Sequence, residues 1–135
     1  MSVQTMSSDY VRFVTKGVDL TAVALTTITP APTSTKNFVV TRIDFIIATK
    51  TGTISGNTVL QVGNDSGKSN VVASAAVVPN TVTTGKAYAA TVVMGNYDLS
   101  TANGAGGGLV LSVTTGAAGG GTLTADVHVV GYWTS

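Results

Sequence analysis

The sequence predicts an all-β fold: an antiparallel sandwich of two β-sheets wound as an eight-stranded jelly roll. Three observations lead to this prediction. Thr (23), Val (21) and Gly (16) are the commonest of the 135 residues, and the β-branched Thr and Val pack well on a pleated surface. Clusters of Gly and Asn interrupt the chain at short intervals. Two long segments alternate between apolar and polar residues.

The length fits one domain, residues 9–135, preceded by a polar segment, residues 1–8, that we expect to be a flexible arm. Within the domain, the proline-containing stretch 29–33 ends the second strand because proline cannot donate a ladder hydrogen bond. Residues 95–107 form the longest irregular stretch, and the Gly-rich segment 116–121 is expected to join the last two strands as a pair. The predicted strands are residues 10–16, 18–29, 37–50, 58–62, 70–78, 81–93, 108–115 and 122–133.

Two of these strands alternate clearly. In the third, the odd-numbered residues from Val39 to Ile47 are predicted to share one face, and the other face becomes charged in its middle. In the last, the odd-numbered residues from Leu123 to Trp133 are mainly apolar, which places Trp133 with the core. One apolar and one polar face are typical of an antiparallel sheet that packs on one side. The alanine-containing segment 70–78 is the place where a helix competes with a strand.

Composition excludes several classes of activity. The chain has no Cys, no Glu and one His, so we predict a non-enzymatic protein without a cofactor or a metal site. Charged residues make up 10% of the chain and its formal net charge is +1. The basic residues are dispersed, whereas a nucleic-acid partner requires a clustered basic face. No apolar run approaches the roughly 18 residues of a membrane span. A nearly neutral surface favours association, so we expect a homo-oligomer.

Two motifs invite a catalytic or ligand-binding interpretation, and a structural one suits each better. Residues 63–69 resemble a phosphate-binding loop, but one residue is missing between the glycines and no helix is expected to follow. His128 and Asp126 share a strand face, and Ser112 is the nearest candidate nucleophile. If the last two strands pair, Ser112 lies about 13 Å along the strand from His128, beyond hydrogen-bond reach. We therefore predict a turn and a surface or interface histidine.

Aromatic and loop residues supply the candidate interaction surface. Tyr132, Tyr97 and Tyr88 could form an exposed binding platform for a sugar or a protein, but ordinary packing at the rim of the core or a subunit contact is the favoured interpretation. The loop residues Asn96 and Asp98 add polar groups to the platform, and His128 adds a titratable one. The predicted surface consists of Tyr88, Asn96, Tyr97, Asp98, His128 and Tyr132.

The layout of the chain combines four recognisable features. It has a short polar arm (1–8), a Thr- and Val-rich sandwich, a long Gly/Asn loop (95–108) and a closing segment (126–133) that reads Asp-Val-His-Val-Val-Gly-Tyr-Trp. In these features it resembles the jelly-roll capsid decoration, or cement, proteins of phages. It also looks like the globular tips of some tail and head fibres.

The resemblance implies a function that composition alone does not give. It implies a homotrimer on the outer capsid surface of a virion, bound to the major capsid protein and stabilising the assembled shell. The alternative is a receptor- or carbohydrate-binding tip module of a phage tail or head fibre. That module would use Tyr97, Tyr132 and polar loop residues such as Asn96 and Asp98.

Overall fold

The computed structural model describes residues 10–101 and 106–134, and within these ranges the protein is built from β-strands. Nine strands in this part of the chain form two sheets in which every pairing is antiparallel. The predicted arm, residues 1–8, lies outside the described residues. The strands are β1 (Tyr10–Asp19), β2 (Ala24–Thr27), β3 (Asn37–Thr51), β4 (Thr58–Gly63), β5 (Val72–Val78), β6 (Ala87–Ala89), β7 (Asn96–Asp98), β8 (Val110–Thr115) and β9 (Thr122–Trp133).

The strands pair as a long hairpin that is rolled up on itself. β1 pairs with β9, β2 with β8, β3 with both β6 and β7, and β4 with β5. Pairing of β3 with β9 completes a five-stranded sheet with the order β1-β9-β3-β6, in which β7 also pairs with β3. Pairing of β4 with β8 completes a four-stranded sheet with the order β2-β8-β4-β5. Because β6 and β7 lie against different parts of β3, they act as one interrupted edge strand. The predicted two-sheet sandwich with jelly-roll winding is confirmed.

One core lies between the two sheets. Its largest fully buried side chains include Phe38 and Phe45 of β3 and Leu60 of β4. On β9, every second residue from Leu123 to Val129 is buried. Trp133, predicted to belong to the core, is only partly buried and packs against its margin. Burial of apolar side chains from both sheets is the main stabilising contribution of such a sandwich.

A β-bulge in β3 changes which of its residues face the core. The pairing with β9 shifts at Thr41, which is an extra residue on β3, and its Oγ1 donates a hydrogen bond to the carbonyl oxygen of Val130 at 2.9 Å. An extra residue reverses the alternation, so Phe38 and Ile43 are both buried although one is even-numbered and the other odd-numbered. The predicted grouping of all the odd-numbered residues from 39 to 47 on one face is therefore wrong.

Several predicted elements have different boundaries in the structure. The predicted strand 18–29 is divided between the end of β1 and the separate strand β2, and the predicted strand 81–93 contains only the short β6. The predicted loop 95–107 contains β7, which completes the edge of the five-stranded sheet. Segment 70–78 forms β5 and not a helix, because its apolar residues pair with β4.

The last two strands do not pair with each other. β8 belongs to the four-stranded sheet and β9 to the five-stranded sheet, so the Gly-rich segment 116–121 crosses from one sheet to the other. Gly121 belongs to this crossing, and its backbone packs against the end of β3, where an added Cβ would lie 2.3 Å from the carbonyl oxygen of Thr51. The predicted hairpin is wrong because the sheet that a strand joins depends on contacts distant in sequence.

Candidate interaction surfaces

The outer face of the five-stranded sheet carries a compact group of charged and titratable side chains. Directly paired residues of neighbouring strands project from the same side of a sheet, and Asp44 of β3 lies opposite His128 of β9. Arg12 of β1 lies opposite Val130, which is two residues beyond His128 on β9 and therefore on the same side of the sheet. We call the surface formed by these side chains the charged face. Its charged and titratable members are Arg12, Arg42, Asp44, Asp126 and His128.

An ion pair stands at the centre of the charged face. Arg42 Nε lies 2.6 Å from Asp44 Oδ2, with 64% of the Arg42 side chain and 15% of the Asp44 side chain exposed. The hydrogen bond to Asp44, together with its charge, raises the pKa of Arg42 above its usual value. The second carboxylate oxygen, Asp44 Oδ1, is buried and has no hydrogen-bond partner among the described residues. A buried acceptor without a donor is costly to leave unpaired.

Two further hydrogen bonds connect β1 with β9 on the charged face. Arg12 Nη1 lies 3.4 Å from His128 Nδ1, which links β1 to β9 across their pairing. Gly17 takes a left-handed conformation (φ 66°) at the bulge in β1, and its N–H donates to Asp126 Oδ1 at 3.0 Å. Asp126 therefore fixes a bulge, which explains its position two residues before His128 without any catalytic role.

A pair of tyrosines borders the charged face at one end. The rings of Tyr10 and Tyr132 meet edge to face with centroids 5.4 Å apart, and 45% of Tyr10 is exposed. Asn96 lies across β3 from Tyr132, since both pair with Val39. Its Oδ1 accepts a hydrogen bond from Thr134 Oγ1 at 2.9 Å. Of the predicted surface, Tyr132, Asn96 and His128 thus share one face.

The other two predicted tyrosines point toward the inside of the sandwich. Tyr88 pairs with the buried Phe45 and Tyr97 with the buried Phe38, and both tyrosines pack against the core. The hydroxyl of Tyr97 donates to the carbonyl oxygen of Val93 at 2.6 Å, and burial raises the pKa of Tyr97. The three tyrosines therefore lie on different sides of the sheet, because strand alternation places Tyr88 and Tyr97 on the opposite side from Tyr132.

Asp98 serves the local backbone at the end of β7. Its Oδ1 accepts a hydrogen bond from the backbone N–H of Ser100 at 2.9 Å, and hydrogen bonding by Ser100 lowers the pKa of the Asp98 carboxyl. A carboxylate that caps a turn in this way is held by its neighbours. Asp98 therefore lies at the margin of the predicted surface and has a structural role there.

The four-stranded sheet presents a second and different surface. Its strands, β2, β4, β5 and β8, contain no charged residue and no histidine. At one edge, Val23 and Leu25 are 73% and 61% exposed. At the other edge, an apolar groove lies beside β5. Sequence analysis missed this surface, although the uncharged run from 70 to 78 was a signal for it.

The motifs with possible catalytic meaning do not form a site. Ser112 pairs with Leu25 on the four-stranded sheet, whereas His128 lies on the five-stranded sheet. Residues 63–69 form a turn in which Asp65 Oδ1 accepts the backbone N–H of Lys68 at 2.8 Å, and a strand follows it, as predicted. Within the two described ranges, no three His, Asp, Glu or Cys side chains group as they would around a metal ion.

A search for long apolar helices gives no candidate for a membrane span within the described part of the chain.

Fold and surfaces together define a jelly-roll sandwich with two chemically different outer faces. A chain of the Cyanophage Pam1 capsid asymmetric unit is similar to it, with a TM-score of 0.59 and 14% sequence identity. The alignment covers 98% of this chain and 91% of that chain. No protein-family model matches the sequence, and no curated protein matches it either. At this identity, the likeness establishes a shared fold.

Proposed function

We propose that the protein is a non-enzymatic structural protein of a bacteriophage virion. More specifically, we propose a capsid decoration protein that binds the assembled shell from outside, as a homotrimer, with the major capsid protein as its partner. The observation that carries the proposal is the likeness of nearly the whole chain to a chain of a phage capsid unit. Because one fold can host many functions, the surfaces must supply the rest of the argument.

The charged face has the chemistry of a protein-binding surface. Tyr and Arg are enriched at the energetic centres of interfaces, and Tyr10, Tyr132 and Arg12 lie on this one face. We assign this face to the shell.

Stabilisation of a shell needs no catalytic chemistry. A protein that binds only the assembled state stabilises that state by RT ln(1 + [L]/Kd) at each independent site. A homotrimer attaches through several copies of one modest contact. Because the copies are linked, the overall affinity exceeds that of a single contact. The jelly roll supplies the rigid sheet on which the contacting side chains are held.

The second candidate function, a receptor- or carbohydrate-binding tip, is not favoured by any observed feature. It depended on an aromatic platform that included Tyr97 and Tyr132. Tyr97 packs against the core, and its hydroxyl is already bonded to Val93. Tyr132 remains on the surface, where it contacts Tyr10.

The test is reconstitution of shells that lack the protein, prepared from the phage that encodes it. Purified wild-type chain is added, and bound protein is measured by co-sedimentation together with the melting temperature of the shell. Arg12→Ala and Tyr132→Ala should each weaken binding at least about tenfold, the loss expected at interface hot spots. Lys68→Ala is the matched control, because it removes the same charge as Arg12→Ala from the loop between β4 and β5.

The outcomes separate clearly. Saturable binding that raises the melting temperature, lost in the two charged-face variants and kept in Lys68→Ala, supports the proposal. Failure of the wild-type chain to bind shells overturns it. Binding that all three variants retain leaves the virion role standing but refutes the charged face as the contact.

A further inference from the structure

The open edges of the two sheets are protected to very different degrees. An exposed edge strand is a template for pairing, and proteins blunt such edges with charge, bulges or short length. β1 carries Arg12 and Lys16 and bends at Gly17, while β2, β6 and β7 have four, three and three residues. β5 has seven residues, Val72–Val78, with neither charge nor proline. Two bulges interrupt its pairing with β4, but no described strand pairs with its other side.

A groove of about 390 Å³ lies beside this edge. Residues 72–77 of β5 line one side, and Ala89, Thr91 and Val93 line the other. Val93 is 55% exposed, and the neighbouring Met94 is 67% exposed. No lining side chain carries a charge, so a charged partner would be left unpaired there at a high cost. The groove suits aliphatic side chains carried on an extended backbone.

The opposite edge of the same sheet supplies such side chains. Sheet order places β2 at one edge and β5 at the other. Leu25 of β2 and Val23, just before this strand, lie on the outer surface at this edge, where they are 61% and 73% exposed, and residues 20–29 contain no charge. Large aliphatic side chains exposed together at a strand edge are typical of a contact site.

We propose that the β2 edge of one copy of this chain docks in the groove beside β5 of a second copy. Val23 and Leu25 are the inserted side chains, and the small side chains from Ala73 to Ala76 receive them. This inference rests on the homo-oligomer part of the proposed function and names its interface. Two uncharged surfaces meet without leaving an unpaired charge.

The geometry also fixes the type of contact. Because the projecting edge and the groove are different parts of one molecule, each copy uses one of them toward each neighbour. Such a heterologous contact closes into a ring when the rotation between copies allows, as in a trimer. The charged faces of all copies then remain free for another partner.

The experiment needs only purified protein, so its failure and the failure of shell binding can be told apart. Sedimentation velocity over a range of concentrations should show wild-type oligomers. Leu25→Arg and Ala75→Arg should each raise the dissociation constant at least about tenfold. An equimolar mixture of the two variants should form a dimer, because one variant keeps the groove and the other keeps the projecting edge. Val14→Arg, an exposed aliphatic position on the five-stranded sheet, is the control and should associate like wild type.

Cysteine pairs provide a second readout that leaves the fold almost unchanged, since the chain has no natural Cys. Leu25→Cys combined with Ala73→Cys or Ala75→Cys should give disulfide-linked oligomers on mild oxidation, whereas Val14→Cys with Ala75→Cys should stay uncrosslinked. The proposal is overturned if wild type is monomeric at all concentrations or if the arginine variants associate normally. It is also overturned if Leu25→Cys links to itself as efficiently as to the groove.

Discussion

The two sheets share one core but differ completely in their outward chemistry. All the Phe, Tyr and Trp residues of the chain lie on strands of the five-stranded sheet, as do all the charged side chains that any strand carries. The four-stranded sheet is built from aliphatic and hydroxyl residues, with Gly and one Gln. Its exposed features are a projecting apolar edge and an apolar groove.

The difference shows that the fold constrains only the inner faces of the sheets. Residues that alternate inward must be apolar in both sheets because they meet in the same core. Residues that alternate outward are free to differ, and here they form one polar, aromatic face and one uncharged surface. In our proposals the first contacts the shell and the second contacts neighbouring copies, so that a single sandwich holds both contacts at once.

The prediction with the largest expected effect on stability tests whether the two sheets share one core. Phe45→Ala in the five-stranded sheet and Leu60→Ala in the four-stranded sheet each truncate a fully buried side chain. We expect losses of about 3–5 and about 2–5 kcal/mol in the free energy of unfolding, measured by urea unfolding with circular dichroism. Both variants should still unfold in one transition, like wild type. Two separate transitions would show that the sheets are independent units.

An intermediate effect tests the packing of β9 behind the charged face. A Cβ added at Gly131 would lie 2.0 Å from the carbonyl oxygen of Val39 and 2.6 Å from the ring of Phe38. Gly131→Ala should therefore destabilise the protein by about 1–3 kcal/mol through overpacking. Gly67→Ala, in the loop of the other sheet, meets atoms only at 3.6 Å or beyond and should change stability by less than about 1 kcal/mol. Equal midpoints of urea unfolding for the two variants would contradict the packing described.

The smallest effect concerns pH and Asp98, at the end of the five-stranded sheet. Hydrogen bonding by Ser100 lowers the pKa of its carboxyl. A carboxylate with a lowered folded-state pKa stabilises the fold above its unfolded pKa of about 3.9, and this stabilisation is lost as pH falls through the folded value. Asp98→Asn should therefore be slightly less stable than wild type at neutral pH, and the difference should shrink below about pH 4. A difference in urea midpoint that is constant with pH would contradict this role.

The fold class could be predicted because it depends on local signals. Alternation along β9 and the many Thr and Val residues reflect which side chains suit a half-buried pleated strand. Turns such as 63–70 were visible because Gly, Asn and Asp have backbone preferences of their own. The bulge at Thr41 was not visible, because one extra residue reverses the alternation without any distinctive side chain.

The candidate surface was only partly predictable for a related reason. Tyr132 and His128 lie on β9, whose alternation is visible in the sequence, and both are on the outer face. No local pattern indicates which strands Tyr88 and Tyr97 join, and pairing with β3 turns both side chains inward. The groove beside β5 involves segments about fifteen residues apart that meet only at the sheet edges, so the uncharged run from 70 to 78 indicates one wall of the groove and no local pattern indicates both.

The most direct test of the assignment of the two surfaces is an electron cryomicroscopy reconstruction of the virion. We predict density for this chain on the outside of the shell, with Arg12 and Tyr132 facing the major capsid protein. In the same map, Leu25 of each copy should contact the groove beside β5 of its neighbour. A shell without this density, or one on which the four-stranded sheet faces the major capsid protein, would contradict the account.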